Sequence, residues 1–304
     1  MKKDFISLND LSSEEIHQWL DFARQIKQSP KDFKSTLEGK TLGMIFKKKS
    51  TRTRISFEVG ITQLGGSGIF LGPDDLQLSR GETIADTAKV LSRYLDGIVI
   101  RTYSHKDVVE FAQHATIPVI NGLTDFNHPC QALADMLTLQ ERFGNLKGLK
   151  LAYLGDGNNV AVSLLFACVK VGMNISLISP PGYTIDEEVQ AMIQNEAEAK
   201  KLNITITSNI QQGLAGADAV YTDVWTSMGK EEEDAHRKQV FKNYAVTDQV
   251  MAAAKPSAVF MHCLPAHRGE EVSASVIDGA ASIVFDQAEN RLHLQKAVML
   301  KLMR

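Results

Sequence analysis

Apolar positions along this chain keep switching between two rhythms. Short, largely apolar runs are each followed by a longer stretch in which apolar residues recur at three- and four-residue spacing. The first rhythm is that of buried strands and the second that of amphipathic helices. Ser12 and Glu15 make a capping-box pattern ahead of Ile16, Leu20 and Ala23, so the first helix starts there. Strands are then predicted over 41–46, 67–71, 97–101 and 118–121, and helices over 53–64, 82–94 and 106–114. Within 53–64, Ile55, Val59 and Thr62 share one face. A long helix opens at Pro129, a favoured first-turn residue, and stops at Gly144.

The stretch Gly144-Asn145-Leu146-Lys147-Gly148 is turn-rich and marks a domain boundary. The rhythm then restarts, with strands predicted over 149–154, 174–178, 203–207, 219–222 and 258–262 and a last short one over 282–285. Helices are predicted over 160–171 and 186–201, and a terminal one over 288–303. Strands separated by helices cannot pair as hairpins, so they predict parallel sheets covered by helices on both faces. The fold class is α/β, with two similar-sized domains meeting near residue 144.

Composition narrows the function. The chain has 304 residues, 44% hydrophobic and 23% charged, with a net charge of -3. Nucleic acid and anionic membranes are therefore poor bulk partners, and any basic site has to be local. The three cysteines, Cys130, Cys168 and Cys263, show no C-x-x-C spacing, which suits free thiols in a reducing compartment. The N-terminal segment is too polar for a secretory signal, and no apolar run reaches membrane-spanning length. A cytoplasmic protein is expected.

In open parallel sheets ligands bind beyond the carboxyl ends of the strands, and polar clusters follow the predicted strands here. After 41–46 comes K-K-K-S-T-R-T-R. This cationic, hydroxyl-rich turn opens a helix, where free N–H groups and the helix dipole favour an anion. Ser50, Thr51 and Thr53 add hydroxyl donors, and Arg52 and Arg54 add forks suited to phosphate oxygens. The plainer reading is a solvated basic turn. The G-x-x-x-x-G-K-[ST] pattern of a P-loop is absent.

Arg101 ends the strand 97–101, and His128-Pro129-Cys130-Gln131 opens the long helix. His128, Gln131 and Arg101 can all donate toward one carbonyl oxygen, the donor set of an acyl-type transfer; a lone histidine at a helix start, as His128 is, is more often structural. Gly155-Asp156-Gly157-Asn158-Asn159 hints at a dinucleotide site but lacks the full G-x-G-x-x-G. In D-V-W-T-S-M-G, Asp223 can hold an ammonium, and Ser227 with the Met228 backbone can bind an amino-acid head group. Trp225 can serve as core packing. His262-Cys263-Leu264-Pro265 ends the strand 258–262. A metal bound by His262, Cys263 and His267 is the weaker reading, because tetrahedral zinc spacing is missing.

These strings resemble a known family. S-T-R-T-R resembles the phosphate signature of the aspartate and ornithine carbamoyltransferase superfamily, with Ser50, Arg52, Thr53 and Arg54 in place. H-P-C-Q is similar to that superfamily's H-P-x-Q element. D-x-x-x-S-M-G and H-C-L-P resemble its ornithine branch; the aspartate branch lacks the first and carries H-P-L-P at the second. The resemblance runs nearly end to end and is loosest around Gln77.

The resemblance implies transfer of a carbamoyl group from carbamoyl phosphate to L-ornithine, without metal or organic cofactor, in a homotrimer or an assembly of trimers. It implies that Ser50, Thr51, Arg52 and Thr53 hold the phosphate. Arg101, His128 and Gln131 then orient the carbamoyl group, with Pro129, Cys130 and Leu264 beside it. Cys263 becomes the thiol next to the attacking amine and joins Arg101 and His128 as catalytic. Asn159, Asp223, Ser227 and Met228 receive ornithine. Gln77 is implied to reach carbamoyl phosphate in a neighbouring subunit. Arg291, in N-R-L-H-L-Q-K-A, is implied to touch carbamoyl phosphate, which folds the last helix back onto the first domain. The carbamoyl phosphate domain is then 1–143 completed by 288–304, and the ornithine domain 144–287. Open alternatives are a related amine such as putrescine, an NAD-dependent dehydrogenase, and a two-lobed amino-acid binding protein.

Overall fold

The computed structural model describes residues 3–77, 81–226 and 231–304. The chain forms two compact units, Met1–Leu137 with Glu289–Arg304, and Thr138–Ala288. It leaves the first unit within one helix and returns within another.

In unit 1, α1 (Ser13–Gln28) opens on the predicted capping box: Ser12 accepts the Glu15 N–H at 3.1 Å, and Glu15 accepts the Ser12 N–H at 2.9 Å. Two otherwise unpaired backbone donors are satisfied, a contribution of about 1 kcal/mol. Ile16, Trp19, Leu20, Ala23 and Ile26 form its buried face. Four parallel strands follow among the described residues: β1 (Thr41–Phe46), β2 (Ser67–Leu71), β3 (Gly97–Arg101) and β4 (Val119–Leu123), in the order β2-β1-β3-β4. The helices between them are α2 (Arg52–Gln63), α3 (Ile84–Leu91) and α4 (His105–His114), followed by α5 (Pro129–Phe143). Ile45, Ile98, Ile100, Val108, Phe111 and Val119 belong to one buried cluster.

Two predicted details change in unit 1. The helix predicted over 82–94 is shorter, because the Thr83 hydroxyl caps it by accepting the Asp86 N–H and turns replace its last residues. In α2, Ile55, Val59 and Thr62 do share a face, but an exposed one. The buried stripe is Thr53, Phe57, Gly60 and Ile61. Gly60 matters there: a Cβ would stand 2.9 Å from the Met299 Cε of the terminal helix.

Unit 2 holds five parallel strands among the described residues: β5 (Lys150–Leu154), β6 (Asn174–Ile178), β7 (Ile204–Thr207), β8 (Ala219–Thr222) and β9 (Val259–His262), in the order β7-β6-β5-β8-β9. Its helices are α6 (Asn159–Val171), α7 (Glu187–Ala199) and the short α8 (Ile210–Leu214), α9 (Asp234–Phe241), α10 (Asp248–Met251) and α11 (Ala274–Ile277). α6 is buried from Val160 to Val171 and ends at Gly172, whose φ of 80° suits only glycine well. Ala152, Leu154, Ile178, Val220, Phe260 and Val284 pack in its core.

The strand predicted over 282–285 is a correction. Ser282 makes a single bridge with Phe260, and the chain then enters α12 (Val284–Met303), which begins four residues before the predicted start. The apolar run Ile283-Val284-Phe285 is too short to reveal its period, and the helix wins once Gln287 bonds back to the Ile283 carbonyl. The C-terminal part of α12 packs in unit 1, where Met303 meets Gly97 and Lys296 meets Gly60.

Candidate active site

Register decides which loops become neighbours. In unit 1, Phe46 pairs with Arg101, so the turn after β1 and the end of β3 lie side by side. The Lys47 N–H bonds the Arg101 carbonyl at 2.8 Å. In unit 2, Leu154 pairs with Thr222 and Thr222 with His262. The turns carrying Asn158 and Asn159, Asp223, and Cys263 therefore emerge together.

In unit 1, Ser50 accepts the Thr53 N–H at 3.2 Å in the first turn of α2. Thr51 is exposed, Arg52 half-buried and Thr53 buried. Arg291, only 2% exposed, donates from Nη1 to the Gln131 carbonyl oxygen and from Nη2 to Thr53 Oγ1 at 3.0 Å. Three arginines bear on His128. Burial first, then the charges of Arg291, Arg101 and Arg52, hold its pKa well below the ordinary histidine value. The imidazole is therefore neutral at pH 7, able to offer one N–H without carrying charge. Pro129 starts α5. Cys130 is fully buried and donates to the Asn121 carbonyl at 3.5 Å. Burial pushes its thiol up to about 12, which rules out a thiolate at neutral pH. Gln77 is exposed, unlike this buried cluster, and its carbonyl accepts the Glu82 N–H.

In unit 2, a polar cluster is centred on Asp223, which is 7% exposed. Its Oδ1 accepts the Cys263 thiol hydrogen at 2.9 Å and the Val224 N–H at 2.8 Å. Its Oδ2 accepts from the Asn158 carboxamide at 2.9 Å. Asn158 also caps α6, accepting N–H bonds from Val160 and Ala161. Asn159 is half-buried in the first turn of α6. Leu264 stands at φ 57°, a strained backbone held by its N–H bond to His262 Nδ1 at 2.8 Å. Ser227 and Met228 lie outside the described residues.

Several partners escape a reading of motifs. Asn158, next to the predicted Asn159, donates to Asp223 and orients it. Buried Arg237 donates to Asp156 at 3.0 Å and to the Trp225 carbonyl at 2.9 Å, tying the turn after β5 to the turn after β8. His262 Nε2 lies 3.3 Å from buried Glu271. Burial raises the Glu271 pKa, but bonds from His262 and the His267 backbone outweigh that and lower it overall. Trp225 is core, stacked on Phe241. Asp156, Asn158 and His262 were signalled by their place at or just after strand ends, whereas Arg237 lies within α9 and carried no such signal.

Two other sequence readings find their geometry here. Gly157 has no room for a Cβ because the Thr184–Ile185 backbone would lie 2.4 Å away, so the chain's own backbone uses the close approach that a dinucleotide site would need. His262 and Cys263 cluster with Asp223, whereas His267 groups with Glu270 and Glu271.

The depressed histidines make stability depend on pH. His128, His105 and His293 are all held below their ordinary value, burial being the largest cause in each. The unfolded chain binds protons below about 6.5 that the folded chain refuses. Stability is then full above that pH and falls as pH drops toward 5.5. Urea unfolding at pH 7.5, 6.5 and 5.5 checks this; a midpoint that rises on acidification contradicts it.

Comparison with known proteins places both units in one family. Residues 3–141 match the family model described as aspartate/ornithine carbamoyltransferase, carbamoyl-P binding domain, and residues 147–302 the corresponding Asp/Orn binding domain. An ornithine carbamoyltransferase of Symbiobacterium thermophilum is 56% identical over 99% of this chain and 98% of its own length. That of Carboxydothermus hydrogenoformans is 54% identical over 98% and 96%. The solved ornithine carbamoyltransferase of Pyrococcus furiosus superposes with a TM-score of 0.96 at 50% identity, covering 99% of this chain and 97% of that one. Matched across both units by sequence and by fold, the chain belongs to the aspartate/ornithine carbamoyltransferase family.

Proposed function

We propose that the chain transfers the carbamoyl group of carbamoyl phosphate to the side-chain amine of L-ornithine, releasing L-citrulline and phosphate. The observation that carries this reading is the Asp223–Cys263 pair. A buried carboxylate with a thiol and a carboxamide as partners selects a cationic amino acid and disfavours one with a second carboxylate.

The phosphate sits at the α2 N-terminus on Ser50, Thr51, Arg52 and Thr53, with Arg291 behind Thr53. Arg101, neutral His128 and Gln131 donate toward the carbamoyl oxygen, where negative charge grows as the carbon is attacked. Ornithine places its α-ammonium on Asp223, with Asn159, Ser227 and Met228 around its head group. Its side-chain amine titrates near 10 in water, roughly as lysine does, and must lose a proton first. Desolvation and Cys263 favour the neutral form. The nitrogen lone pair then forms the N–C bond, the C–O bond to phosphorus breaks, and phosphate leaves with the electron pair and takes a proton. Holding both reactants in register supplies about 7 kcal/mol or more of the barrier reduction.

In this reading residues 1–143 with 288–304 are the carbamoyl phosphate domain and 144–287 the ornithine domain. The chain works as a trimer in the cytoplasm, with Gln77 reaching a neighbouring subunit's carbamoyl phosphate. Its three free thiols suit that compartment, and no described helix is long and apolar enough to cross a membrane.

The test is citrulline formation with competing amines. Ornithine is expected to react at least about 100-fold faster than aspartate or putrescine, because putrescine lacks the α-ammonium and carboxylate and so forfeits charge-assisted bonds. Faster carbamoylation of putrescine overturns the roles of Asp223, Asn159 and Ser227; no product from any amine overturns the reaction.

A further inference from the structure

The direction of the Asn158 carboxamide is set by its own neighbours. Its oxygen meets the Val160 and Ala161 N–H groups at 2.9 and 3.1 Å and the fully buried Tyr153 hydroxyl at 3.3 Å. Turned over, the amide would set its NH2 against two N–H groups that cannot accept, and its carbonyl against the Asp223 carboxylate. The nitrogen therefore faces Asp223 and donates to Oδ2 at 2.9 Å. An ionised carboxylate offers about four acceptor positions. At Asp223 the Val224 N–H and the Cys263 thiol fill both on Oδ1, and Asn158 takes one on Oδ2. Rotation of a carboxylate about its last bond is soft, so the bond to Oδ2 is what stops the group from turning about Oδ1. Among the described residues Asn158 makes that bond. It sets the plane of the carboxylate and the direction of the acceptor position that remains.

We propose that Asn158 is a positioning residue for amino-acid recognition, holding the Asp223 carboxylate so that its remaining Oδ2 position meets the α-ammonium of the substrate. This deepens the proposed reaction and rests on it. Asn158 has a plainer use as the N-cap of α6, and the two roles separate by experiment. Capping needs only the side-chain oxygen, whereas positioning needs the nitrogen. Serine keeps the cap and loses the donor to Asp223. Aspartate keeps the cap and the shape but sets a second acceptor against Asp223.

The test uses the full chain. Absence of citrulline from the unaltered protein overturns the reaction, and this assignment with it; every later outcome bears on the assignment alone. Asn158→Ser is expected to unfold in urea near the unaltered midpoint, since serine and asparagine are comparable caps. Its kcat/KM for ornithine falls about ten-fold or more, the value of a hydrogen bond to a charged group. Putrescine, which has no α-ammonium, loses less than about two-fold, and inhibition by phosphate is unchanged. In an Asp223→Asn background the same substitution adds less than about two-fold, because the carboxylate it orients is gone. An unchanged kcat/KM for ornithine, equal losses for ornithine and putrescine, or a further loss in the Asp223→Asn background as large as in the unaltered protein overturns the proposal. Should Asn158→Ser fold poorly, Asn158→Asp takes its place. It is expected to fold and still lose about ten-fold or more in kcat/KM for ornithine, since an acceptor now faces an acceptor. Ornithine turnover at the unaltered value in that variant refutes the assignment.

Discussion

Asp223→Asn is expected to cut citrulline formation by about 100-fold, roughly the 3 kcal/mol lost when one partner of a buried charge pair is removed. The substitution is nearly isosteric, so the packing around β8 survives. Three bonds change character, however. The carboxylate now accepts from the Cys263 thiol, the Val224 N–H and the Asn158 carboxamide. An asparagine oxygen can keep one side of this arrangement, while its NH2 meets a donor on the other. The negative charge assigned to the α-ammonium is lost as well. The loss is therefore expected in kcat/KM for ornithine, with inhibition by phosphate unchanged because the proposed phosphate site lies in unit 1. Putrescine, with no α-ammonium, should lose much less, so the variant discriminates poorly between the two amines. Steady-state kinetics with both amines decides the matter: equal losses for ornithine and putrescine would show that Asp223 acts on the thiol alone.

Arg291→Met is expected to weaken carbamoyl phosphate about 50-fold or more and to lower unfolding stability by roughly 2 kcal/mol. Methionine fills much of the stem volume, so the cost lies in the head group. Gln131 loses the donor to its carbonyl and Thr53 loses the partner of its oxygen. His128 offers an independent readout. Burial is the main cause of its low pKa and the Arg291 charge the next, so its titration moves up in the variant. Phosphate competition, urea unfolding and histidine resonances against pH together test the assignment. Unchanged phosphate affinity with reduced stability would make Arg291 a packing residue that merely docks α12.

Much of this molecule follows from the sequence alone, because the signals are local. Alternating strand and helix periods over 41–303 predict parallel sheets, and such sheets place their ligands beyond the carboxyl strand ends. The capping box at Ser12 and Glu15 forms as read, since its two bonds span three residues. The S-T-R-T-R turn is legible as a helix start, since α2 opens at Arg52 as the local pattern predicts. Which face of α2 is buried was not legible. Ile55 and Val59 look like core by chemistry, but Phe57, Gly60 and Ile61 take that place. The start of α12 was hidden in an apolar run that fits either period.

Partners distant in the chain were beyond reach altogether. Arg291 meets Thr53 across 238 positions and Gln131 across 160. Asp223 meets Asn158 across 65 and Cys263 across 40. Motifs nominate such residues singly; they do not say which oxygen accepts from which nitrogen. The residue types and their spacing determine by themselves the strands, the helices and the kind of chemistry at each strand end, because a few adjacent residues settle backbone period and capping. Only the folded chain decides that His128 is neutral, that Asn158 turns its nitrogen to Asp223 and that Asp223 holds a thiol. Those properties come from burial and from charges that register and packing bring together.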